Sequence, residues 1–112
     1  MKVIIAGSRT ITDYALIKEA IIMSQFLITE VVSGGATGVD SLGEEWANQI
    51  NIPIKKFPAD WNKFGKSAGY RRNVEMANYA DALIAITNGS VGTSHMINIA
   101  KNKNLKVFVY TI

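Results

Sequence analysis

Three glycine-containing clusters hold the residues with the clearest potential for chemistry. Each follows an apolar run and precedes a segment with helical spacing, and the clusters are Gly7-Ser8-Arg9, Ser33-Gly34-Gly35-Ala36-Thr37-Gly38 and Asn88-Gly89-Ser90-Val91-Gly92-Thr93-Ser94. A glycine at such a junction lets backbone N–H groups approach an anion, and the helix N-terminus behind it adds unpaired donors. Together the clusters predict a phosphate site, although each alone could serve only a tight turn. None has the spacing of a P-loop or of the Gly-x-Gly-x-x-Gly dinucleotide motif.

Three charged or polar positions could complete this site. Arg9 is the last residue of the first cluster, and Arg72 stands beside Asn73 at the predicted start of the third helix. Either guanidinium could hold two phosphate oxygens. The alternative for both arginines is a surface salt bridge. Asp40 would repel a phosphate but could accept hydrogen bonds from ribose hydroxyls, or it could serve only the helix dipole. The candidate ligand-binding residues are Gly7, Ser8, Arg9, Ser33, Gly34, Gly35, Gly38, Asp40, Arg72, Asn73, Gly89, Ser90, Gly92, Thr93 and Ser94.

The stretch from Pro58 to Gly69 is the one long segment that we predict to be irregular, and its length favours a functional loop. Aromatic and basic residues alternate there and just beyond it. The candidates for stacking on a base or covering the ligand are Trp61, Phe64, Lys66 and Tyr70. An equally good interpretation is that Trp61 and Phe64 anchor the loop to the core.

Charge and composition limit the class of function. The net charge is +3, but six basic residues and one acid lie between Lys55 and Arg72, which favours an anionic partner or a merely solvated surface. The chain has no cysteine and one histidine, so we expect neither a metal site nor a cofactor. The start reads as a first strand rather than a signal peptide, and no run is long enough to span a membrane. We therefore expect a cytoplasmic protein.

Five apolar runs predict the strands of an α/β fold. They are Lys2–Ala6, Glu30–Ser33, Ile54–Phe57, Ala82–Ile86 and Lys106–Tyr110, with Pro53 opening the third. The segments between them have helical spacing, and Thr12 is the expected N-cap of the first helix. Strands that alternate with helices predict a mostly parallel sheet covered on both faces. At 112 residues the chain fits one domain, residues 1–112.

Several of these motifs, in the same order, resemble the YspA-type, YpsA-related branch of the SLOG superfamily. They are Gly7-Ser8-Arg9, Ser33-Gly34-Gly35-Ala36-x-Gly38-x-Asp40, Pro58-Ala59-Asp60-Trp61, Gly65-x-x-Ala68-Gly69-x-x-Arg72-Asn73 and Gly92-Thr93-x-His95-Met96. The resemblance implies a Rossmann-like three-layer domain with strand order 3-2-1-4-5. It also implies a ligand that is a nucleotide or a nucleotide derivative, bound between strands one and four.

The same resemblance bears on catalysis. LOG enzymes of this superfamily cleave the N-glycosidic bond of nucleoside monophosphates with an arginine and a glutamate. The arginine is retained as Arg72, four residues before Met76, whereas the position of the glutamate falls at His95. An imidazole does not replace a carboxylate that supports an oxocarbenium-like centre. Arg72 and His95 are the candidate catalytic residues if the chain is an enzyme, a question that the sequence leaves open, and the missing glutamate favours binding over catalysis.

Three functions remain open. The first is binding of an ADP-ribose-like or cyclic ADP-ribose-like signal, which a phage protein could sequester as an anti-defence sponge. The second is hydrolysis of a nucleotide N-glycoside, as in the LOG enzymes. The third is binding of single-stranded nucleic acid, as in the DprA relatives, which the modest net charge disfavours.

We also expect a homodimer or a higher homo-oligomer. Relatives of this branch often pair through helices that flank the site. The apolar side chains that could form such an interface are Met76, Tyr79, Met96 and Ile97, although core packing would explain them as well.

Overall fold

A five-stranded parallel sheet forms the centre of the protein. The computed structural model describes residues 1–112, and its strands are β1 (Lys2–Gly7), β2 (Glu30–Ser33), β3 (Ile54–Lys56), β4 (Ala82–Thr87) and β5 (Lys106–Thr111). Their order is β3-β2-β1-β4-β5, and all four neighbouring pairs are parallel. The α/β fold class predicted from the sequence is confirmed, and so are the Rossmann-like domain and the strand order that the family resemblance implies.

Burial explains which strands occupy the middle. Val3 to Ala6 of β1 and all six residues of β4 are buried, and nearly all of these residues are apolar. Such continuous apolar runs suit strands that are covered on both faces. At one edge β3 has only three residues, of which Lys55 and Lys56 are exposed, so this edge is short and charged.

Helices cover both faces of the sheet. They are α1 (Tyr14–Ser24), α2 (Val39–Gln49), the short α3 (Trp61–Phe64), α4 (Ala68–Tyr79) and α5 (Val91–Asn102), with a 3₁₀ turn at Gly65–Ser67 between α3 and α4. The first two helices pack with Val3 and Ile5 in one buried cluster, whereas α4 and α5 pack with Ile4 and Ala6 in the other. This alternation follows from the two-residue period of a strand. No helix is both long and apolar enough to cross a membrane.

The structure corrects several expected boundaries. The N-cap of α1 is Asp13 rather than Thr12, because the Asp13 carboxylate accepts a hydrogen bond from the Ala15 N–H at 3.0 Å. The third strand begins at Ile54, one residue after Pro53. The stretch from Pro58 to Gly69 is not irregular: α3, the 3₁₀ turn and the first residues of α4 occupy most of it.

The structure also places the start of α4 earlier in the chain than the sequence predicts. The helix begins at Ala68, so Arg72 lies in its second turn rather than at its start. The first turn contains Gly69 and Tyr70, which line a cavity instead of packing into the core, so this turn lacks apolar spacing. The short helix α3 precedes α4, and Asp60 caps the N-terminus of α3 by accepting a hydrogen bond from the Lys63 N–H at 3.0 Å.

Two of the residues expected at an oligomer interface belong to the core of the chain. Met76 and Met96 are each only 1% exposed and pack in the cluster of α4 and α5. Tyr79 and Ile97 are partly buried against the same cluster. The two methionines therefore cannot form a surface between subunits. The homo-oligomer stays a prediction, but its interface does not include them.

The close pairing of β1 with β4 at Gly7 supplies a test of the fold. A Cβ added at Gly7 would lie 2.0 Å from the carbonyl oxygen of Ile86, so the backbone would have to move. We expect Gly7→Ala to lower the free energy of unfolding by about 2 kcal/mol or more, as overpacking does.

The control is Gly92→Ala, because a Cβ at this helical glycine meets nothing within 4 Å. It should raise stability by up to about 1 kcal/mol. Urea unfolding followed by circular dichroism measures both, and equal stability of the two variants would contradict the packing argument.

Candidate functional site

A cavity of about 470 Å³ opens where β1 and β4 end. The connections after these two strands lead to opposite faces of the sheet, which makes this edge the topological switch point of the fold. The volume lies within the usual range for small-molecule sites. The lining residues are Ala6, Gly7, Ser8, Arg9, Thr10, Ala36, Asp40, Trp61, Lys66, Gly69, Tyr70, Arg72, Asn73, Met76, Asn88, Ser90, Gly92, Thr93 and Met96.

Ser8 joins the first and third glycine clusters. Its N–H donates to the Ile86 carbonyl at 3.1 Å, and its hydroxyl accepts from the Asn88 N–H at 3.1 Å. The same hydroxyl donates to the Ser90 hydroxyl at 3.3 Å, and Ser90 in turn contacts the Thr93 hydroxyl at 2.7 Å. Because Ser8 is almost fully buried, this chain of polar contacts holds one wall of the cavity in place.

The second glycine cluster packs directly against the first. Gly38 has φ +75°, and a Cβ there would lie 2.5 Å from the carbonyl oxygens of Ser8 and Arg9, so only glycine fits. Within the cluster the Ser33 hydroxyl accepts from the Gly35 N–H at 3.1 Å and donates to Glu44 at 2.6 Å. The loop that leads into α2 is therefore held against the cavity from both ends.

Two helix N-termini at this edge keep free donors. Neither Gly38 at the start of α2 nor Ser90 at the start of α5 caps its helix with a side chain. The N–H groups of Gly92 and Thr93 have no acceptor in the protein, since the first backbone bond of α5 runs from Ser94 to Ser90. Free N–H groups and the helix dipole favour an anion at this position.

Both predicted arginines line the cavity, and neither forms a salt bridge. The one salt bridge of the protein joins Lys56 to Glu44. Arg72 is partly buried and donates to the Gly34 carbonyl at 2.7 Å and to the Asn73 side chain at 3.1 Å, and burial lowers its pKa. The side chain of Arg9 makes no hydrogen bond to the protein. Both guanidinium groups thus keep donors for a ligand, and the surface salt bridge considered for them is wrong.

Asp40 is a buried carboxyl at the edge of the cavity. Burial raises its pKa from 3.8 to about 6, although the hydrogen bond from the Ala36 N–H and the nearby Arg72 lower it. Only one of its two oxygens has a partner, at 3.2 Å from the Ala36 nitrogen. The second oxygen is therefore available to accept a hydrogen bond from a hydroxyl in the cavity.

His95 lies behind the cavity rather than in its lining. Its Nδ1 accepts a hydrogen bond from the Asn73 amide at 3.1 Å, and its ring meets the Tyr70 ring edge-on at 4.3 Å between centroids. Burial lowers its pKa, which favours the neutral ring that this hydrogen bond needs. The geometry supports a role in orienting Asn73 and, through it, Arg72.

The cluster of aromatic and basic residues divides into two sets. Trp61, Lys66 and Tyr70 line the cavity. Phe64 does not, because its ring is covered by Arg71 at 4.3 Å and by Lys63 at 5.1 Å. Most of the basic residues between Lys55 and Arg72 therefore lie on the surface and do not line the cavity.

Sequence reasoning located most of the lining but not all of it. Predicted residues that do not line this cavity are Ser33, Gly34, Gly35, Gly38, Phe64, Gly89, Ser94 and His95, although Gly34 and Gly35 line an adjacent one. Lining residues absent from the prediction are Ala6, Thr10, Ala36, Gly69, Met76, Asn88 and Met96. Ala36 and Asn88 belong to the glycine clusters, and this position in the sequence is the signal that marks them. The two methionines look like core residues in any apolar pattern, so nothing in the sequence marks them.

Comparison with known proteins identifies a family and a relative in sequence. The model of the family described as "YspA, cpYpsA-related SLOG family" matches residues 1–64. The Gene 61 protein of Mycobacterium phage D29 is 34% identical over an alignment that covers 95% of this chain and 93% of the phage protein. No solved structure matches the chain. The family match includes Arg9, Asp40 and Trp61, whereas Arg72 and the third glycine cluster lie beyond the matched residues. It suggests a function related to nucleotides.

The raised pKa of Asp40 supplies a test at this site. Since the folded chain holds this proton more tightly than the unfolded chain, the stabilisation from Asp40 is complete below about pH 3.8 and is lost as pH rises through about 6. We expect Asp40→Asn, which cannot ionise, to be more stable than wild type at pH 7.5 by up to about 3 kcal/mol. The gain should shrink as pH falls below 6. Thermal unfolding across pH 4 to 8 measures it.

The matched control for this experiment is Glu45→Gln, since Glu45 is an exposed carboxylate on the same helix. Its difference from wild type should change little over the same pH range. Loss of stability in Asp40→Asn at pH 7.5 would show instead that the ionised carboxylate supports the fold.

Proposed function

The chain belongs to the YspA, cpYpsA-related SLOG family, and from this premise we propose that it binds a nucleotide-derived small molecule in the cavity between β1 and β4. The observation that carries the proposal is the convergence of free donors at the switch point. The uncapped N-terminus of α5 and two arginines without salt bridges line the cavity, and the uncapped N-terminus of α2 lies beside it. Such donors suit phosphate oxygens.

The remaining lining suits the other parts of a nucleotide. Asp40 offers a carboxylate oxygen to ribose hydroxyls. Trp61 and Tyr70 are each about half exposed and present ring surface on which a base can stack. Met76 and Met96 add an apolar surface to the lining. A phosphate, a sugar and a base would each meet groups of matching chemistry.

We further propose that binding itself is the function and that the ligand is an ADP-ribose-like or cyclic ADP-ribose-like signal. The relative in phage D29 supports a phage setting, in which sequestration of a host signal would be useful. A protein that only sequesters acts by mass action, so it must bind well below the working concentration of the signal. This requires a submicromolar Kd, equivalent to roughly 8 kcal/mol or more of binding free energy.

One observation favours hydrolysis of an N-glycosidic bond as a second candidate function. Asp40 is a buried carboxyl on the cavity wall with a pKa of about 6, which suits a proton donor or acceptor near neutral pH. The position of His95 argues against chemistry of the LOG type, because the imidazole faces Asn73 rather than the cavity. We therefore rank binding above hydrolysis.

Calorimetry with adenosine monophosphate, ADP-ribose and cyclic ADP-ribose isomers tests the binding function. At least one of them should bind, and Arg72→Ala should weaken that binding roughly 10- to 100-fold, the effect of losing a charge-assisted hydrogen bond. Lys103→Ala is the control, because it removes a positive charge just beyond the C-terminal end of α5, at the opposite end of that helix from the cavity. Absence of binding across the panel, or equal losses in both variants, would refute the proposal.

Chromatography of the bound ligand separates the two candidate functions. After long incubation with wild type at pH 6 and 7.5, we expect the ligand to be recovered intact. Release of free base, abolished in Asp40→Asn but not in Glu45→Gln, would show instead that the protein is a hydrolase.

A further inference from the structure

A second cavity of about 380 Å³ adjoins the first. Four residues line both of them: Arg9, Ala36, Trp61 and Arg72. The remaining lining of the second cavity comes from Gly34, Gly35 and Thr37 and from Pro58-Ala59, so it lies over the loop that leads into α2. The two cavities therefore form two lobes of one site, with both arginines at their junction.

The second lobe has its own donors. Thr37 belongs to its lining, and the Thr37 N–H has no acceptor in the protein. Gly38 follows as the N-terminal residue before α2 and provides no side-chain cap. The first lobe has the equivalent free donors at the start of α5. Each lobe thus has one helix N-terminus of its own, and the pair of arginines serves both.

Two glycines keep the second lobe open and set its wall. A Cβ at Gly34 would lie 2.5 Å from Nη1 of Arg72, so a glycine here lets the guanidinium reach the Gly34 carbonyl. An added Cβ at Gly35 would meet nothing within 4 Å, so crowding does not explain why this residue is a glycine. The explanation is its φ of +75°, a conformation that side chains disfavour. Its backbone conformation instead shapes the loop that carries the free N–H groups.

Arg72 has donors left for the second lobe. Its Nε is used by Asn73 and its Nη1 by the Gly34 carbonyl, whereas Nη2 has no partner in the protein. Arg9 is exposed and has all of its side-chain donors free. No carboxylate forms a salt bridge with either guanidinium, and Asp40 lines only the first lobe. The second lobe is consequently lined by positive charge without a negative side chain.

We infer that the second lobe is a second phosphate subsite, and that the preferred ligand is a nucleotide derivative with two phosphate groups. This inference rests on the proposed function, since it assigns the chemistry of the ligand at the same site. The phosphate of a nucleoside monophosphate would occupy one lobe only. A ligand with two phosphates would place one toward α5 and the other toward α2, with Arg9 and Arg72 lining both lobes.

Thr37 allows a test that affects the second lobe alone. It is exposed and lines this lobe but not the first. Thr37→Glu puts a negative charge beside the proposed phosphate, and Thr37→Gln is the neutral control of the same size. The probes are adenosine 5′-monophosphate, with one phosphate, and adenosine 3′,5′-bisphosphate and cyclic di-AMP, each with two. Calorimetry at about 0.15 M salt limits effects of charge over longer distances.

For wild type we expect at least one two-phosphate probe to bind roughly tenfold or more tightly than the monophosphate. Thr37→Glu should remove this advantage while changing the monophosphate affinity less than about threefold, and Thr37→Gln should preserve it. Ala59→Trp, which fills the second lobe with a ring, should act like Thr37→Glu. Unfolding curves would check that each variant is folded.

Two results would overturn the inference while leaving the proposed function intact. One is equal affinity of wild type for all three probes. The other is an equal loss for one-phosphate and two-phosphate probes in Thr37→Glu. If neither these probes nor the panel of ADP-ribose ligands bound at all, the proposed function itself would fail, and the inference with it.

Discussion

The close approach of the Gly7-Ser8 backbone to the end of β4 is the contact on which the rest of the site depends. The absence of a side chain at Gly7 lets this backbone pass the Ile86 carbonyl, to which the Ser8 N–H donates at 3.1 Å. The Ser8 hydroxyl then holds the loop before α5, while its carbonyl accepts from the Val39 N–H at the start of α2. One dipeptide thereby places the N-termini of two helices from opposite faces of the sheet around one cavity.

The charges of the site are arranged at a cost in stability. A carboxyl group is buried at Asp40 although its pKa of about 6 means that it is largely ionised at neutral pH. Two arginines nearby have no salt-bridge partner, and free N–H groups face the same space. Folding alone does not require such an arrangement, since natural proteins accept lower stability chiefly where function demands it. The imbalance is explained if the missing negative charge comes from a ligand.

The short α3 and the first turn of α4 form the outer boundary of the cavity. Trp61 packs close to Gly69, where a Cβ would lie 3.2 Å from the ring, so the absence of a side chain lets the ring approach α4. The next residue, Tyr70, meets His95, which in turn accepts from Asn73. The ring surface offered to a base and the orientation of Arg72 therefore belong to one connected set of contacts. His95, at the position of the LOG glutamate, takes part in this set rather than in the lining.

The sequence by itself determined the strands, their parallel arrangement and the positions of the glycine clusters. These features depend on local rules: apolar runs mark buried strands, and glycines mark the turns after them. The strand order came from the resemblance to a family. Only the tertiary structure decided that Asp13 caps α1, that α4 begins at Ala68, that Met76 and Met96 are core residues, and that His95 lies behind Asn73. It also decided the pKa of Asp40 and the second lobe beside Arg72. These features arise from burial and from contacts between residues far apart in the chain, which no local pattern contains.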